Sequence, residues 1–371
     1  MEVVTSRQAY DDPDSRLPKS ETIDGVVVSR VWTSRFGRRH LLGRTVDYLT
    51  FYATAGWRLW RCAGPGDIVV AKTDPPLISV VAAIVVRLCG ARLINWTQDL
   101  FPEVATALGV KGIGLFAPIL RAARNFSQRS AQQNVVLGQR MAARLEALGI
   151  PKNKICVIHN WSDEMAIKPT NRNANPLRRD WELDDKFIVG YSGNMGRAHE
   201  FGTIIDAAEL VKDRRDIRFL FIGGGARANF VAREAKRRGL GNVVFKPYQA
   251  RDQLSDSLGA ADLHLISLLP PLEGLIVPSK FYGIAAAGRP ALYIGDPKGE
   301  IPTILERAKC GYTVWPGEAV ELARYIERLA EDRPKVLRLG ENARRVLEQE
   351  FGKTQSLAKW KAVIDGVAQR I

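Results

Sequence analysis

The chain has 371 residues, 46% hydrophobic and 25% charged, which fits a globular protein of two domains and excludes fibrous repeats and long disorder. Its four cysteines are scattered, with no paired Cys or Cys/His spacing, so neither a disulfide framework nor a zinc site is indicated and a reducing cytoplasm fits. Net charge is +14, and residues 1–180 hold 25 Lys and Arg against 15 Asp and Glu, an excess that nucleic acid, an anionic membrane or a phosphorylated substrate would each match.

In chain order, Glu2–Ser6 reads as a strand that runs into the polar loop Arg7–Glu21. A Rossmann-like half opens with strand, glycine-rich turn and helix, and none of these stands before Glu2. The expectation is an N-terminal domain without its first strand and helix, through a misplaced start or as a remnant, unless another strand closes the gap. Asp12-Pro13-Asp14 matches the metal-binding DxD pattern but is read as a chance run in a polar loop.

Val26–Val31, Asp67–Ala71, Arg92–Trp96 and Gln133–Leu137 read as buried strands, with helices predicted over Thr45–Arg61, Leu77–Cys89 and Leu115–Ala131. The longest apolar run, Leu77–Val86, falls well short of the roughly 20 residues of a bilayer span. No signal-peptide pattern opens the chain. Phe36–Arg61 interleaves Arg38, Arg39, Arg44, Arg58 and Arg61 with Phe36, Tyr48, Phe51, Tyr52, Trp57 and Trp60. That mixture suits a membrane interface better than nucleic acid, or a core helix with solvated arginines.

Asn160–Lys186 is polar and reads as the joint, which divides the chain into a domain 1–165, a linker 166–186, a domain 187–352 and a tail helix 353–371. After the joint, strands are predicted at Phe187–Ser192, Arg218–Ile222, Val243–Lys246, Leu263–Ser267 and Ala291–Ile294. Helices alternate with them at Phe201–Asp213, Ala226–Arg238, Gln253–Gly259, Lys280–Ala287, Pro302–Ala308, Glu318–Glu331 and Pro334–Glu350. The fold class is therefore α/β: two Rossmann-like domains facing across a cleft at the carboxyl ends of their sheets.

Three turns carry candidate chemistry. Tyr191–Arg197 (YSGNMGR) joins a strand to a helix, where Gly193 and Gly196 allow close backbone approach and Arg197 could bond a phosphate. Phe221–Phe230 holds Gly223–Gly225, read as tight packing before nucleotide contact. Pro278-Ser279-Lys280 precedes an alanine-rich helix, so a hydroxyl and an ammonium stand at a helix start, a diphosphate cradle or a capped core helix. Asp99 follows a strand and either binds an acceptor hydroxyl or caps a helix. None of the four histidines shows ligand spacing, although His199 could face the anion of the YSGNMGR turn.

Together KTDPP (Lys72–Pro76), QDLFPE (Gln98–Glu103), IHNW (Ile158–Trp161), YSGNMGR and GLIVPSKFYGIAAAGRP (Gly274–Pro290) resemble the family-4 retaining glycosyltransferases of GT-B fold. The likeness is to the group that assembles colanic acid, capsule, exopolysaccharide or O-antigen. It implies transfer of a sugar from a nucleotide-sugar, a UDP-sugar, to a polyprenyl-diphosphate-linked acceptor. The enzyme would sit peripherally at the inner face of the bacterial membrane, without metal or cofactor. The C-terminal domain would hold the donor, the N-terminal domain the acceptor, and the tail helix would return across the cleft.

In that scheme Asp99, Glu103, Arg197 and Lys280 are assigned to catalysis. Gly193, Asn194, His199, Gly224, Ser279 and Gly274 are assigned to substrate binding. Two departures from the family pattern stand out. Gly283 takes the place of the second of two glutamates, with Glu273 ten residues upstream, so the usual ribose-binding carboxylate is absent or comes from elsewhere. Asn194 and His199 stand where an Arg/Lys pair is common. The rival readings are a UDP-sugar 2-epimerase on the same fold and a basic nucleic-acid-binding protein.

Overall fold

The computed structural model describes residues 1–8, 17–36, 41–110 and 112–369. Asp12, Asp14, Arg38 and Arg39 lie outside the described residues.

The N-terminal half builds two sheets among the described residues. In the first, β1 (Glu2–Ser6) runs parallel to β3 (Val26–Val31), and β2 (Ser20–Ile23) pairs antiparallel with β3. Asp24 and Gly25 connect β2 to β3 with φ of 48° and 78°, the two left-handed residues that a tight hairpin loop requires. Strand β2, which begins at the end of the polar loop Arg7–Glu21, was not expected. The second sheet is parallel, in the order β4 (Ile68–Lys72), β5 (Arg92–Thr97), β6 (Gln133–Val136), β7 (Ile155–Val157). No described strand pairs the first of these sheets with the second, so the alternation yields two sheets here and not one.

Helices α1 (Leu41–Cys62), α2 (Ile78–Cys89), α3 (Glu103–Ala107), α4 (Ile113–Ser130) and α5 (Gln139–Ala147) connect these strands. Residues 166–186 hold α6 (Pro176–Asp180), capped by the Asn175 side chain, which accepts from the Arg178 N–H. Arg178 is fully buried; its guanidinium bonds the Asp262 carboxylate at 3.2 Å and the carbonyls of Ala260 and Leu183. This stretch is thus pinned to the C-terminal half, because a buried charge needs its partners.

The C-terminal half is one six-stranded parallel sheet. Its strands are β8 (Phe187–Ser192), β9 (Ile217–Ile222), β10 (Val243–Lys246), β11 (Leu263–Ser267), β12 (Ala291–Ile294) and β13 (Gly311–Val314). The order β10-β9-β8-β11-β12-β13 reverses direction between β8 and β11. At that switch point the turns after the two strands part to opposite faces and leave a crevice. Around the sheet lie α7 (Gly202–Leu210), α8 (Ala228–Arg237), α9 (Leu254–Gly259), α10 (Lys280–Ala286), α11 (Glu300–Ala308), α12 (Ala319–Glu331) and α13 (Arg333–Val346). A π-turn over Leu347–Phe351 leads to α14 (Lys353–Ala368).

The halves share a core in which Leu100, Val136 and Met141 pack with Ile266, Leu272 and Phe281. Leu100 N–H donates to the Leu275 carbonyl at 2.9 Å. Helix α14 lies on the N-terminal half: Trp360 meets the Trp96 ring edge-on at 4.9 Å, and the Arg92 guanidinium bonds the carbonyls of Val367 and Ala368 at 2.7 and 2.8 Å.

Candidate functional site

The crevice is built from the turn after β8 and the loop between β11 and α10. Gly193, at φ 107°, turns the chain, and its N–H donates to the Ile222 carbonyl at 2.8 Å. The Lys280 ammonium crosses from the start of α10 to the Asn194 carbonyl at 2.9 Å and lies over the Tyr191 ring at 4.9 Å. It also meets His199 Nε2 at 3.2 Å. His199 Nδ1 stands 2.5 Å from the Ser267 carbonyl. A carbonyl only accepts, so Nδ1 carries the proton and Nε2 accepts from Lys280.

Burial in this crevice lowers Lys280 to about 8. Burial, with the Lys280 charge adding to it, lowers His199 to about 4, so the imidazole is neutral. The hydroxyls of Ser192 and Ser267, at the carboxyl ends of β8 and β11, are buried without a hydrogen-bond partner. Arg197 stands on the same turn, two residues before His199, exposed and with no ion-pair partner among the described residues. Ser279 is exposed at the start of α10, and its side chain does not cap the helix. Contacts thus bring Gly193, Asn194, His199 and Lys280 together, with Arg197 and Ser279 beside them in the chain.

The three-glycine turn supports it from beneath. A Cβ on Gly223 would stand 2.4 Å from the Gly193 carbonyl oxygen, and one on Gly225 2.2 Å from Asn194 Oδ1. Gly224 accepts from the Met195 N–H at 2.6 Å and from the Tyr248 hydroxyl at 3.3 Å. Tyr248 was missed in the sequence. It is 60% exposed beside this turn, and only the fold brings it there.

On the N-terminal side, KTDPP and QDLFPE meet: the Gln98 N–H donates to the Thr73 hydroxyl at 2.9 Å. The protein around Asp99, with Asp74 adding repulsion, pushes its carboxyl up to about 6 against the pull of Lys72. Asp99 adjoins Leu100, whose N–H reaches the Leu275 carbonyl, so it stands at the seam between the halves.

Two of the assigned residues do otherwise. Glu103 is held by Arg124 at 2.8 and 3.2 Å and by Arg121 at 3.5 Å, a fork that fixes α3 to α4. Gly274, at φ 74°, lies against α5, where an added Cβ would stand 3.0 Å from Arg144 Nε. Gly283 lies inside α10, and no carboxylate replaces the missing glutamate there.

The geometry defines a GT-B architecture, with the crevice that Lys280 enters at the switch point of its second sheet. Two family profiles cover most of the chain: "Glycosyl transferase 4-like domain" matches residues 1–161 and "Glycosyl transferases group 1" matches 174–346. The chain belongs to the family-4 type of glycosyltransferases. Among curated relatives it is 28% identical over 331 residues to the "Probable glycosyltransferase WbjE" of Pseudomonas aeruginosa, spanning 89% of this chain and 82% of that one. It is also 28% identical over 277 residues to the "Putative colanic acid biosynthesis glycosyl transferase WcaI" of Escherichia coli K12, spanning 73% and 65%. A solved structure of similar fold is Anabaena HepE in complex with UDP and glucose, at TM-score 0.70 and 19% identity, over 92% of this chain and 86% of that one.

Proposed function

We propose that the protein transfers a sugar from a UDP-sugar, with retention, to a lipid-diphosphate-linked acceptor during assembly of a surface polysaccharide. The observation that carries this reading is Lys280 reaching over the turn after β8 at the switch point of the second sheet. When the glycosidic bond breaks, negative charge grows on the departing diphosphate. Lys280, held in a partly dehydrated crevice, opposes that charge more strongly than a solvated lysine would. Arg197, without an ion-pair partner among the described residues, adds a second cation, and Tyr248 offers an exposed aromatic face to the nucleobase. Asp99 stands on the acceptor side as the carboxylate for an incoming hydroxyl. The family resemblance implies that this chemistry runs without a metal ion.

The acceptor would be met at an anionic membrane. No helix among the described residues is long and apolar enough to cross a bilayer. The outer layer of α1, α2 and α4 instead exposes Leu49, Trp57, Trp60, Ile84, Leu88, Leu115, Phe116 and Ile119. Arg87, Arg121 and Arg129 line a groove of about 760 Å³ between α2 and α4. Apolar side chains beside arginines suit a headgroup interface. The face is wider than the predicted Phe36–Arg61 stretch, and Arg58 does not join it, because it pairs with Glu2 at 2.7 Å.

The test is incubation with labelled UDP-sugars and membrane extract. Label passing into the lipid fraction supports transfer, and a released epimeric UDP-sugar would refute it. Sedimentation with anionic liposomes should weaken as salt rises. Equal binding to neutral liposomes at every salt concentration would refute the membrane face.

A further inference from the structure

Away from the donor turn, polar contacts between the halves converge on Glu300, the first residue of α11. Its side chain is buried and extends into the N-terminal half. One carboxylate oxygen lies 3.0 Å from His159 Nε2; the other accepts the Arg140 N–H, at the start of α5, at 3.1 Å. An acid at a helix start satisfies free N–H groups and complements the helix dipole. Burial alone would raise this carboxyl, but the bonds from His159 and the backbone at Arg140 and Gln139 hold it below the usual range.

Gly138 makes the approach possible. A Cβ there would stand 2.5–2.8 Å from the Glu300 side chain. Its φ of −174° is ordinary extended backbone, so space and not conformation calls for glycine. On the other side, the Glu300 N–H donates to the Glu273 carboxylate at 2.9 Å, which also accepts from the Tyr293 hydroxyl at 3.3 Å. The Glu273 carbonyl accepts from Arg144 of α5 at 2.9 Å. Glu273 opens the loop that ends at Lys280.

We infer that Glu300 is a positioning residue, a clasp that holds α5 and His159 against the second half and so sets the loop carrying Lys280 relative to the acceptor side. Its importance for transfer rests on the donor reading above; the clasp itself does not. Parting of the halves breaks the bonds to Arg140 and His159 together, while the bond from Glu300 to Glu273 stays within the second half.

The experiment is hydrogen exchange on the full chain, read at Gln139–Ala142 of α5, with β8 and β9 as controls. Glu300→Ala and Gly138→Ala should each speed exchange of the α5 start about tenfold or more, with the control strands unchanged. The double variant should be no faster than either single one, since both break the same contact. Glu300→Gln, which keeps an acceptor for the Arg140 N–H, should retain most of the protection. UDP affinity of Glu300→Ala should stay within about twofold of wild type while transfer falls about tenfold, because only transfer needs both halves in register. If the wild type fails to bind UDP, the donor reading fails and the exchange data still decide the clasp. Wild-type exchange at the α5 start in Glu300→Ala, or in Gly138→Ala, overturns it. If Glu300→Ala loses protection everywhere, Gly138→Ala and Glu300→Gln decide by the same criteria.

Discussion

The two halves of the molecule are written in the same strand–helix alternation but finish differently. In the second half, strands β8, β9, β11 and β12 are buried almost throughout, and one sheet runs unbroken from β10 to β13. In the first half, β1 to β3 stay half-exposed, the sheet is divided, and large apolar side chains stand on the outer helices. A continuous, fully covered sheet fixes the turns at its carboxyl end, and a diphosphate needs such fixed donors. The looser, basic and apolar half suits contact with a partner whose shape varies, such as a lipid surface. Helix α14 follows the second half in sequence yet serves the first.

That contrast can be broken most forcibly at Trp360, which is buried against Trp96. Trp360→Ala should cost about 3–5 kcal/mol of local stability, as for other buried aromatics. Calorimetry should then show the first half melting earlier while the second keeps its transition; a uniform shift of both would mean that α14 does not belong to the first half.

Next in size, Lys280→Ala should remove about 2–4 kcal/mol of transition-state stabilisation, the loss seen when one electrostatic donor is deleted. Its folding should be nearly unchanged, since Lys280 serves the crevice and not the core. Turnover within a few-fold of wild type would place the donor elsewhere.

The same lysine gives a pH signature. Its charge is present below about pH 8 and lost above it. UDP binding should therefore weaken as pH rises past 8, and Lys280→Arg should flatten that fall, because an arginine stays charged. A flat profile in the wild type would contradict the assignment.

The smallest expected effect lies on the acceptor side. Asp99 titrates near 6 in the folded chain, above the ordinary 3.8. The folded state then holds more protons than the unfolded one between these values, so stability from this group is present below pH 4 and lost as pH rises through 6. Asp99→Asn should raise the melting temperature at pH 8, by less than about 1 kcal/mol in stability, and not at pH 4. A rise of equal size at both pH values would show that charge is not the cause.

Much of the second half was legible because its signals are local. Runs such as Phe187–Ser192 are apolar on both faces, as a covered parallel strand must be, and glycines mark the turns. What escaped was short or dependent on distant partners. Strand β7 has three residues, too few to show a period, whereas α5 sets Met141, Ala142 and Leu145 at helical spacing in a stretch short enough to be passed over. The Asp24–Gly25 turn, just past the polar loop Arg7–Glu21, was a readable hairpin signal. At the site, YSGNMGR and PSK each appear in the sequence as helix-start turns, but only the strand order brings Lys280 onto Asn194. Glu103, assigned to catalysis by resemblance, finds its partners Arg121 and Arg124 18 and 21 residues further on, beyond the reach of a local motif. Gly274 and Glu300 take their meaning from α5, more than a hundred residues away.

The central claim is that the crevice at the switch point receives the donor diphosphate, and a crystal structure of the chain with UDP tests it most directly. The account predicts the diphosphate between the Lys280 ammonium and the Gly193–Arg197 turn, with Lys280 drawn off the Asn194 carbonyl and Arg197 turned inward. UDP bound away from this turn, or none bound at saturating concentration, would contradict it.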